Sequence, residues 1–216
     1  MPLYKTITLN DGILALWELT DPVQELLDKF PQFNNEHFKA ITSPRRQKEW
    51  LATRALLHHA GCIYDQLGYS STGHPEIEHP EYKYISISHS NKIAGIILTR
   101  NTPTGIDIES VNRNFLRIEK KYLSEEERLI AANTPDGHAV FWCIKEAVYK
   151  FLDYQDLIFN SDIKITIDEN QRYKISSMAP RYCDFEYVSM KINDQIIVFL
   201  AEKNYESKIQ IYSPSG

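Results

Sequence analysis

Two short stretches, GIDIE at residues 105–109 and FWCIKEAVYK at residues 141–150, carry most of the structural information in this chain. In the first, apolar and acidic residues alternate, which is the pattern of a β-strand with two different faces. The isoleucines would point into a core, whereas Asp107 and Glu109 would share the opposite face with their Cα atoms about 7 Å apart. A solvated strand face would show the same alternation, but no lysine or arginine separates these two carboxylates. The pattern therefore predicts a strand whose two acidic side chains could converge on one ion.

The second stretch lies in a predicted helix over residues 138–152, which is apolar on nearly all sides and is therefore expected to be buried. Lys145, Glu146 and Lys150 interrupt this apolar surface, and buried charges need partners. Glu146 and Lys150 are four residues apart and could form an ordinary ion pair. Alternatively, Glu146 joins the two strand carboxylates around a cation while the lysines face a phosphate. Three oxygen donors and an anionic substrate suit Mg²⁺.

Polar residues in the first half of the chain are candidates for binding anions. Ser88 and His89 follow a predicted strand in SISHS and could donate to a phosphate, or they could simply form a polar strand end. Arg46 and Arg54 lie about two turns apart on a predicted helix, so both could occupy one face. A solvated basic face is the simpler explanation for such a run of arginines.

The remaining pattern favours an α+β fold with two similar halves, residues 1–103 and 104–216. The predicted helices cover residues 22–30, 35–41, 44–60, 124–132 and 138–152, the third opening at Ser43-Pro44 and the fourth carrying a Ser124–Glu127 capping box. The predicted strands cover residues 13–19, 84–88, 93–99 and 105–109, followed by strands throughout the last third of the chain, including residues 208–213. Residues 70–82 are predicted to be a loop because of their glycine and proline content.

Composition and missing motifs exclude several classes of protein. The net charge of −5 argues against a general nucleic-acid binder. The sequence contains no P-loop, no GxGxxG and no GxSxG, which removes the commonest nucleotide-binding and hydrolase motifs. The three cysteines form no metal-binding pattern, and neither a signal peptide nor a long apolar run is found, so we expect a cytoplasmic protein with reduced thiols and no membrane partner.

The order of these motifs resembles the larger, Sfp-type group of 4'-phosphopantetheinyl transferases. That family shows G-[IV]-D-[IV]-E and, some forty residues later, [FW]-x-x-K-E-[AS]-x-x-K, which correspond here to Gly105–Glu109 and Trp142–Lys150. The basic helix RRQKEWLATRALL and the segment YLSEEE at residues 122–127 are similar to further elements of the family. The resemblance covers about residues 43–152.

The resemblance implies a fold, a reaction and a set of site residues. The fold would be a pseudo-dimer of two α+β halves with the active site in the cleft between them, so that a monomer suffices. The reaction would transfer the phosphopantetheine arm of coenzyme A to a serine of an acyl or peptidyl carrier protein and release adenosine 3',5'-bisphosphate. The implied metal ligands for Mg²⁺ are Asp107, Glu109 and Glu146; the implied catalytic groups are Glu146, Lys150 and Lys145; and the implied coenzyme A ligands are Arg46, Arg54, His74, Ser88 and His89.

His74 marks one departure from the family pattern. It stands in Gly73-His74-Pro75, where the family often has Gly-Lys-Pro. The loop shape is expected to be kept, but a fixed positive charge is lost, because free imidazole titrates near 6.5.

Two other classes of function fit parts of the pattern. A non-catalytic module that binds coenzyme A or a carrier protein would keep the same fold, although the intact acidic triad and lysines count against it. A metal-dependent phosphohydrolase would need a group that places an attacking water, and the sequence identifies none.

Overall fold

Two antiparallel sheets, each covered by one long helix, form the part of the chain that this computed structural model describes, residues 3–63, 66–170 and 172–202. The first half contains strands β1 Leu3–Leu9, β2 Gly12–Glu18, β3 Leu67–Tyr69, β4 Pro75–Ile77, β5 Tyr84–His89 and β6 Ile93–Thr99. Its helices are α1 Val23–Lys29, α2 Glu36–Lys39 and α3 Pro44–His59, with a 3₁₀ turn at Pro31–Phe33. The large sheet has the order β1-β2-β6-β5, and β3 and β4 form a separate hairpin.

The second half builds the larger sheet. Its strands are β7 Gly105–Ser110, β8 Ile163–Ile167, β9 Tyr173–Ser177, β10 Cys183–Ile192 and β11 Gln195–Glu202, in the order β7-β11-β10-β9-β8. Its helices are α4 Glu119–Tyr122, α5 Glu125–Ala132, α6 Gly137–Leu152 and α7 Phe159–Asp162. The α+β class predicted from the sequence is therefore confirmed.

The same order of elements recurs in the two halves. A strand is followed by a long helix and then by an antiparallel hairpin whose last strand pairs with the first strand of the series. These elements are β2, α3, β5 and β6 in the first half and β7, α6, β10 and β11 in the second.

The two sheets pack face to face between the two long helices. On one face of the first sheet, Ile96 and Leu98 contact α3, while Leu14 and Ile97 on the other face join a shared core with the second sheet. Ile106 and the other isoleucine of β7 belong to this shared core. Since side chains alternate along a strand, Asp107 and Glu109 must point to the opposite side of the sheet, where α6 lies.

The local signals that define the helices act largely as the sequence predicts. The Ser43 side chain accepts a hydrogen bond from the Arg46 amide at the start of α3, and Gly61 has a φ of 81° just after the helix ends. At α5, Ser124 and Glu127 form the predicted capping box.

Three predictions about secondary structure need comment. The loop prediction for residues 70–82 is wrong at Pro75–Ile77, because these residues pair with β3, and a proline is tolerated as the first residue of a strand. Strand β1 was not predicted, although it pairs with β2 along most of its length. The strand predicted at residues 208–213 lies outside the residues that the structure describes.

Candidate active site

Two serine hydroxyls join the two sheets at the edge where the candidate site lies. Ser86 Oγ accepts a hydrogen bond from the Ile106 amide at 3.1 Å, and Ser88 Oγ accepts one from the Ile108 amide at 3.1 Å. Both contacts join residues twenty positions apart, so β5 and β7 run side by side in the same direction. Edge strands expose unpaired amides, and here side chains of the neighbouring sheet satisfy them. This junction fixes the position of Asp107, which lies between the two bonded amides.

Asp107 is buried at this junction and is held by two donors. Its Oδ1 atom accepts hydrogen bonds from Ser88 Oγ at 2.9 Å and from Lys150 Nζ at 2.7 Å. Lys150 also donates to the carbonyl of Ile106 at 2.9 Å and to Ser88 Oγ at 3.1 Å. Lys150 therefore ties α6 to β7 and β5 at the same point.

Ser88 does not have the free hydroxyl that a phosphate ligand would need. Its single proton goes to Asp107, and its oxygen accepts from the Ile108 amide and from Lys150. A hydroxyl has one donor and two acceptor positions, so all of them are used. In the protein without metal or ligand this side chain positions Asp107, and the contact of Ser88 with coenzyme A stays a prediction.

A glycine brings α6 close enough for these contacts. A Cβ atom added to Gly105 would overlap the carbonyl group of Ala147 in α6. The absence of a side chain at the start of β7 lets the helix backbone lie against the strand. Glu146 and Lys150, one residue before and three after this contact, are thereby held on the side of β7 that carries Asp107.

Glu146 is a partly buried carboxyl group among other charges. Burial raises the pKa of Glu146 from 4.5 to about 7, and the neighbouring carboxylates of Asp107 and Glu109 raise it as well. The cations of Lys150 and Arg113 act in the opposite direction on the same pKa. The three predicted metal ligands are thus brought close enough to interact electrostatically.

Glu109 is engaged by a residue that sequence reasoning missed. Its Oε1 atom accepts a hydrogen bond from the Ser110 amide at 2.8 Å, and its Oε2 atom forms an ion pair with Arg113. The Arg113 guanidinium also lies 4.2 Å from the ring centroid of Trp142. Only the spacing of four residues between Glu109 and Arg113 could have suggested the contact, and that spacing is diagnostic only within a helix.

The donor set fits a hard divalent cation. Within the described residues, no group of three or more His, Cys, Asp or Glu side chains stands in a geometry that would hold a metal ion as it is. However, burial and, after it, the neighbouring carboxylates raise the pKa of Glu146, and two internal cations, Lys150 and Arg113, pair with Asp107 and Glu109. An oxygen-rich site that already attracts cations has the chemistry that Mg²⁺ requires.

Lys145 does not belong to this site, so the prediction of a catalytic role for it is wrong. The side chain is fully buried, and its Nζ atom donates to Glu127 Oε2 at 2.6 Å and to the carbonyls of Phe159 and Ile163 at 2.8 and 2.9 Å. Burial lowers the pKa of Lys145, while Glu127 opposes that shift. All three protons of the ammonium are used, on the face of α6 that packs on α5 and β8, so its role is structural.

The two arginines predicted to share a face of α3 are separated. Arg46 is exposed near the helix start, whereas Arg54 is buried with its guanidinium 4.1 Å from the ring centroid of Trp50. Arg54 lines a cavity of about 230 Å³ with Phe33 and Cys62, and this cavity shares no residue with the one next to Lys150. Eight residues span slightly more than two turns of a helix, so the two side chains point in different directions. One arginine can therefore be buried while the other is exposed. The expectation that Arg54 lies with the other coenzyme A ligands is not supported.

His74 and His89 do lie beside Lys150. All three line a cavity of about 320 Å³, and His74 also lines an adjoining cavity of about 630 Å³. His74 Nδ1 is 3.6 Å from Asp153 Oδ1, and His89 Nδ1 is 3.4 Å from Glu49 Oε1. The cavity is therefore lined by three basic side chains, two histidines and one lysine.

Comparison with known proteins finds a match to the segment of the chain that carries the three carboxylates. Residues 103–200 match the family model of the 4'-phosphopantetheinyl transferase superfamily. The matched segment contains all three carboxylates and Lys150. Residues 103–200 are therefore similar to the 4'-phosphopantetheinyl transferase superfamily, the family that the motifs resemble.

Curated relatives and solved structures with detectable similarity carry related names. The chain is 29% identical over 119 residues to the 4'-phosphopantetheinyl transferase AcpT of Escherichia coli O157:H7 and to that of strain K12, a match that covers 52% of this chain and 60% of each relative. A holo-(acyl-carrier-protein) synthase from Bacillus anthracis in complex with CoA (3',5'-ADP) is similar with a TM-score of 0.39 and 19% identity, over 47% of this chain and 95% of that one. Helicobacter pylori holo-[acyl-carrier-protein] synthase in complex with coenzyme A gives a TM-score of 0.38 and 23% identity, over 46% and 99% of the two chains.

None of the helices within the described ranges is long and apolar enough to cross a membrane.

Proposed function

We propose that this protein transfers the 4'-phosphopantetheine arm of coenzyme A to a serine of an acyl or peptidyl carrier protein. The observation that carries the proposal is the convergence of Asp107, Glu109 and Glu146 with Lys150, which also lines a cavity, within the segment that matches the transferase superfamily. Phosphoryl transfer needs positioning and charge stabilisation more than covalent chemistry, and these residues offer both.

The reaction would form a bond between the serine oxygen and the phosphorus of the arm and break the bond from that phosphorus to the oxygen of the leaving adenosine 3',5'-bisphosphate. Glu146, directly or through a water, would accept the proton of the serine hydroxyl. Lys150, which lines the cavity, would contact the transferred phosphate by exchanging one of its three hydrogen bonds.

Mg²⁺ is the cofactor that the proposal requires, with Asp107, Glu109 and Glu146 as its ligands. A bound Mg²⁺ would neutralise negative charge on the diphosphate. The protein's own part is to hold the three carboxylates together, through Ser88 on one side and the close contact of Gly105 with α6 on the other.

Coenzyme A would lie in the cavity beside Lys150, with its phosphates near His74 and His89. His89 comes from the end of β5, and His74 from the loop that precedes β4, so both are contributed by the first half of the chain. Lys150 and the carboxylates come from the second half. The ligand would then bridge the halves.

The finer assignment is to the Sfp-type group, with residues 1–103 and 104–216 as the two halves of a pseudo-dimer. The recurrence of strand, long helix and hairpin in both halves supports this assignment. One chain would supply both sides of the cleft, so a monomer would be sufficient for activity.

Intact-mass spectrometry of purified apo carrier proteins tests the proposal. After incubation with this protein, coenzyme A and Mg²⁺, a carrier protein should gain the mass of one phosphopantetheine. The gain should disappear in EDTA and with Asp107→Asn, and should persist with Asn114→Ala, a change of an exposed residue outside the site. If several carrier proteins gain no mass while coenzyme A still binds, the protein is a non-catalytic binding module and the proposal is wrong.

A further inference from the structure

Arg113 forms an ion pair with Glu109, one of the proposed metal ligands. The proposed reaction gives Arg113 no role. Its guanidinium is paired with the Glu109 carboxylate and lies 4.2 Å from the ring centroid of Trp142 and 5.7 Å from that of Phe115. The side chain belongs to the loop between β7 and α4 and is 37% exposed. It therefore stands, partly exposed, on an aromatic platform formed by these two rings.

Each carboxylate of β7 forms an ion pair with a basic side chain of the protein, and the two basic side chains come from different elements. Lys150 of α6 is 2.7 Å from Asp107, and Arg113 of the loop contacts Glu109. A divalent cation on the same oxygens would bring like charges together in a partly buried place, where the effective dielectric is low and the repulsion is correspondingly strong. Binding of the metal must therefore compete with these two contacts.

The two internal cations differ in how firmly they are held. Lys150 donates to three acceptors, Asp107, Ser88 and the Ile106 carbonyl, and its removal would leave polar groups at the sheet junction without a partner. Arg113 has one carboxylate and the aromatic platform. Stacking of a guanidinium on an indole ring is favourable, so Trp142 provides a position for Arg113 that does not depend on Glu109.

We propose that Arg113 is a latch on the metal site: it pairs with Glu109 in the metal-free protein and is displaced from it, while still stacked on Trp142, when a divalent cation binds. The inference rests on the proposed function, since it takes the three carboxylates as metal ligands. Its consequence is that Arg113 lowers the affinity of the free protein for metal.

Titration of the free protein with Mn²⁺, followed by electron paramagnetic resonance of the unbound ion, tests the latch without any turnover. Mn²⁺ serves as a probe because it also prefers oxygen ligands. Arg113→Gln should bind Mn²⁺ about fivefold more tightly than the wild type, which corresponds to an ion pair of about 1 kcal/mol. Arg117→Gln is the matched control, because it removes the same charge from an exposed residue of the same loop and should change the affinity by less than about twofold.

The outcomes separate the latch from the metal site itself. If the wild type binds Mn²⁺ and Asp107→Asn abolishes binding, while Arg113→Gln has no effect or weakens it, the metal site stands and the latch is refuted. An equal gain for Arg113→Gln and Arg117→Gln also refutes the latch, because it reflects net charge alone. If neither the wild type nor Arg113→Gln binds Mn²⁺, the proposed metal site fails and the latch fails with it. Should Arg113→Gln not fold, Arg113→Met, which keeps an aliphatic contact with Trp142, carries the same expectation.

Discussion

Replacement of Glu146 by glutamine should make the metal-free protein more stable above neutral pH. The pKa of this carboxyl group is raised from 4.5 to about 7, chiefly by burial and then by the carboxylate of Asp107. Between these pH values the folded protein keeps a proton that the unfolded chain has lost, so the free energy of unfolding falls as the pH rises through this window. Above pH 7 the group is ionised in both states, and the loss of stability is complete.

The size of the effect follows from the shift. At about 1.4 kcal/mol per pKa unit, the change from 4.5 to about 7 corresponds to about 3 kcal/mol at pH 8 and to almost nothing at pH 4. Glutamine has nearly the same shape as the neutral acid and no charge. The variant should therefore match the wild type near pH 4 and exceed its stability by up to about 3 kcal/mol at pH 8.

Urea unfolding in EDTA at a series of pH values measures this difference, because the effects of all other titrating groups cancel between the two proteins. Saturating Mg²⁺ should then close the gap at pH 8 by stabilising the wild type alone, if Glu146 is a metal ligand. A difference in stability that does not vary with pH, or a variant that is less stable at pH 8 without metal, would refute this account of the site.

Three further substitutions test how the site is held in place. Gly105→Ala should destabilise the protein by about 2 kcal/mol or more in urea unfolding, because its Cβ atom would overlap the Ala147 carbonyl and push α6 away from β7. Lys145→Met should cost about 3–5 kcal/mol by leaving the Glu127 charge buried and unpaired, and adding Glu127→Gln should recover most of that loss while keeping the capping box. Ser88→Ala should lower stability by about 1–3 kcal/mol, since a buried amide and carboxylate lose their partner.

Gly105→Ala and Ser88→Ala each have a matched control in the exposed region of the β3–β4 hairpin. Gly68→Ala adds a Cβ atom that meets nothing within 4 Å, and Ser71→Ala alters an exposed serine; both should change the free energy of unfolding by less than about 0.5 kcal/mol. If Gly105→Ala behaves like Gly68→Ala, the close approach of α6 to β7 does not position the site.

The sequence predicts features that depend on periodicity and short motifs. The alternation in β7 places the isoleucines in the core between the sheets and Asp107 and Glu109 towards α6, as the structure has them. The capping box at Ser124 and the ends of the long helices follow from local chemistry in the same way. These features are predictable because each depends on neighbours within a few residues.

The sequence does not reveal what depends on the packing of distant elements. Lys145 and Lys150 lie in the same apolar helix, and only the position of α5 and β8 against one face, and of β5 and β7 against the other, separates a structural lysine from one at the site. Ser88 has a hydroxyl of the kind that binds phosphate. In the structure the oxygen of this hydroxyl accepts a hydrogen bond from an amide of the neighbouring edge strand, β7. Arg113 contacts Glu109 only because the loop after β7 turns back over Trp142.

Simultaneous measurement of the two proposed products tests the central claim most directly. With this protein, coenzyme A, Mg²⁺ and an apo carrier protein, adenosine 3',5'-bisphosphate and modified carrier protein should appear in equal amounts, and neither should form when the carrier serine is replaced by alanine. Release of the bisphosphate without a carrier protein would instead indicate a phosphohydrolase. Formation of neither product with coenzyme A bound would contradict the proposed transfer and leave a binding module.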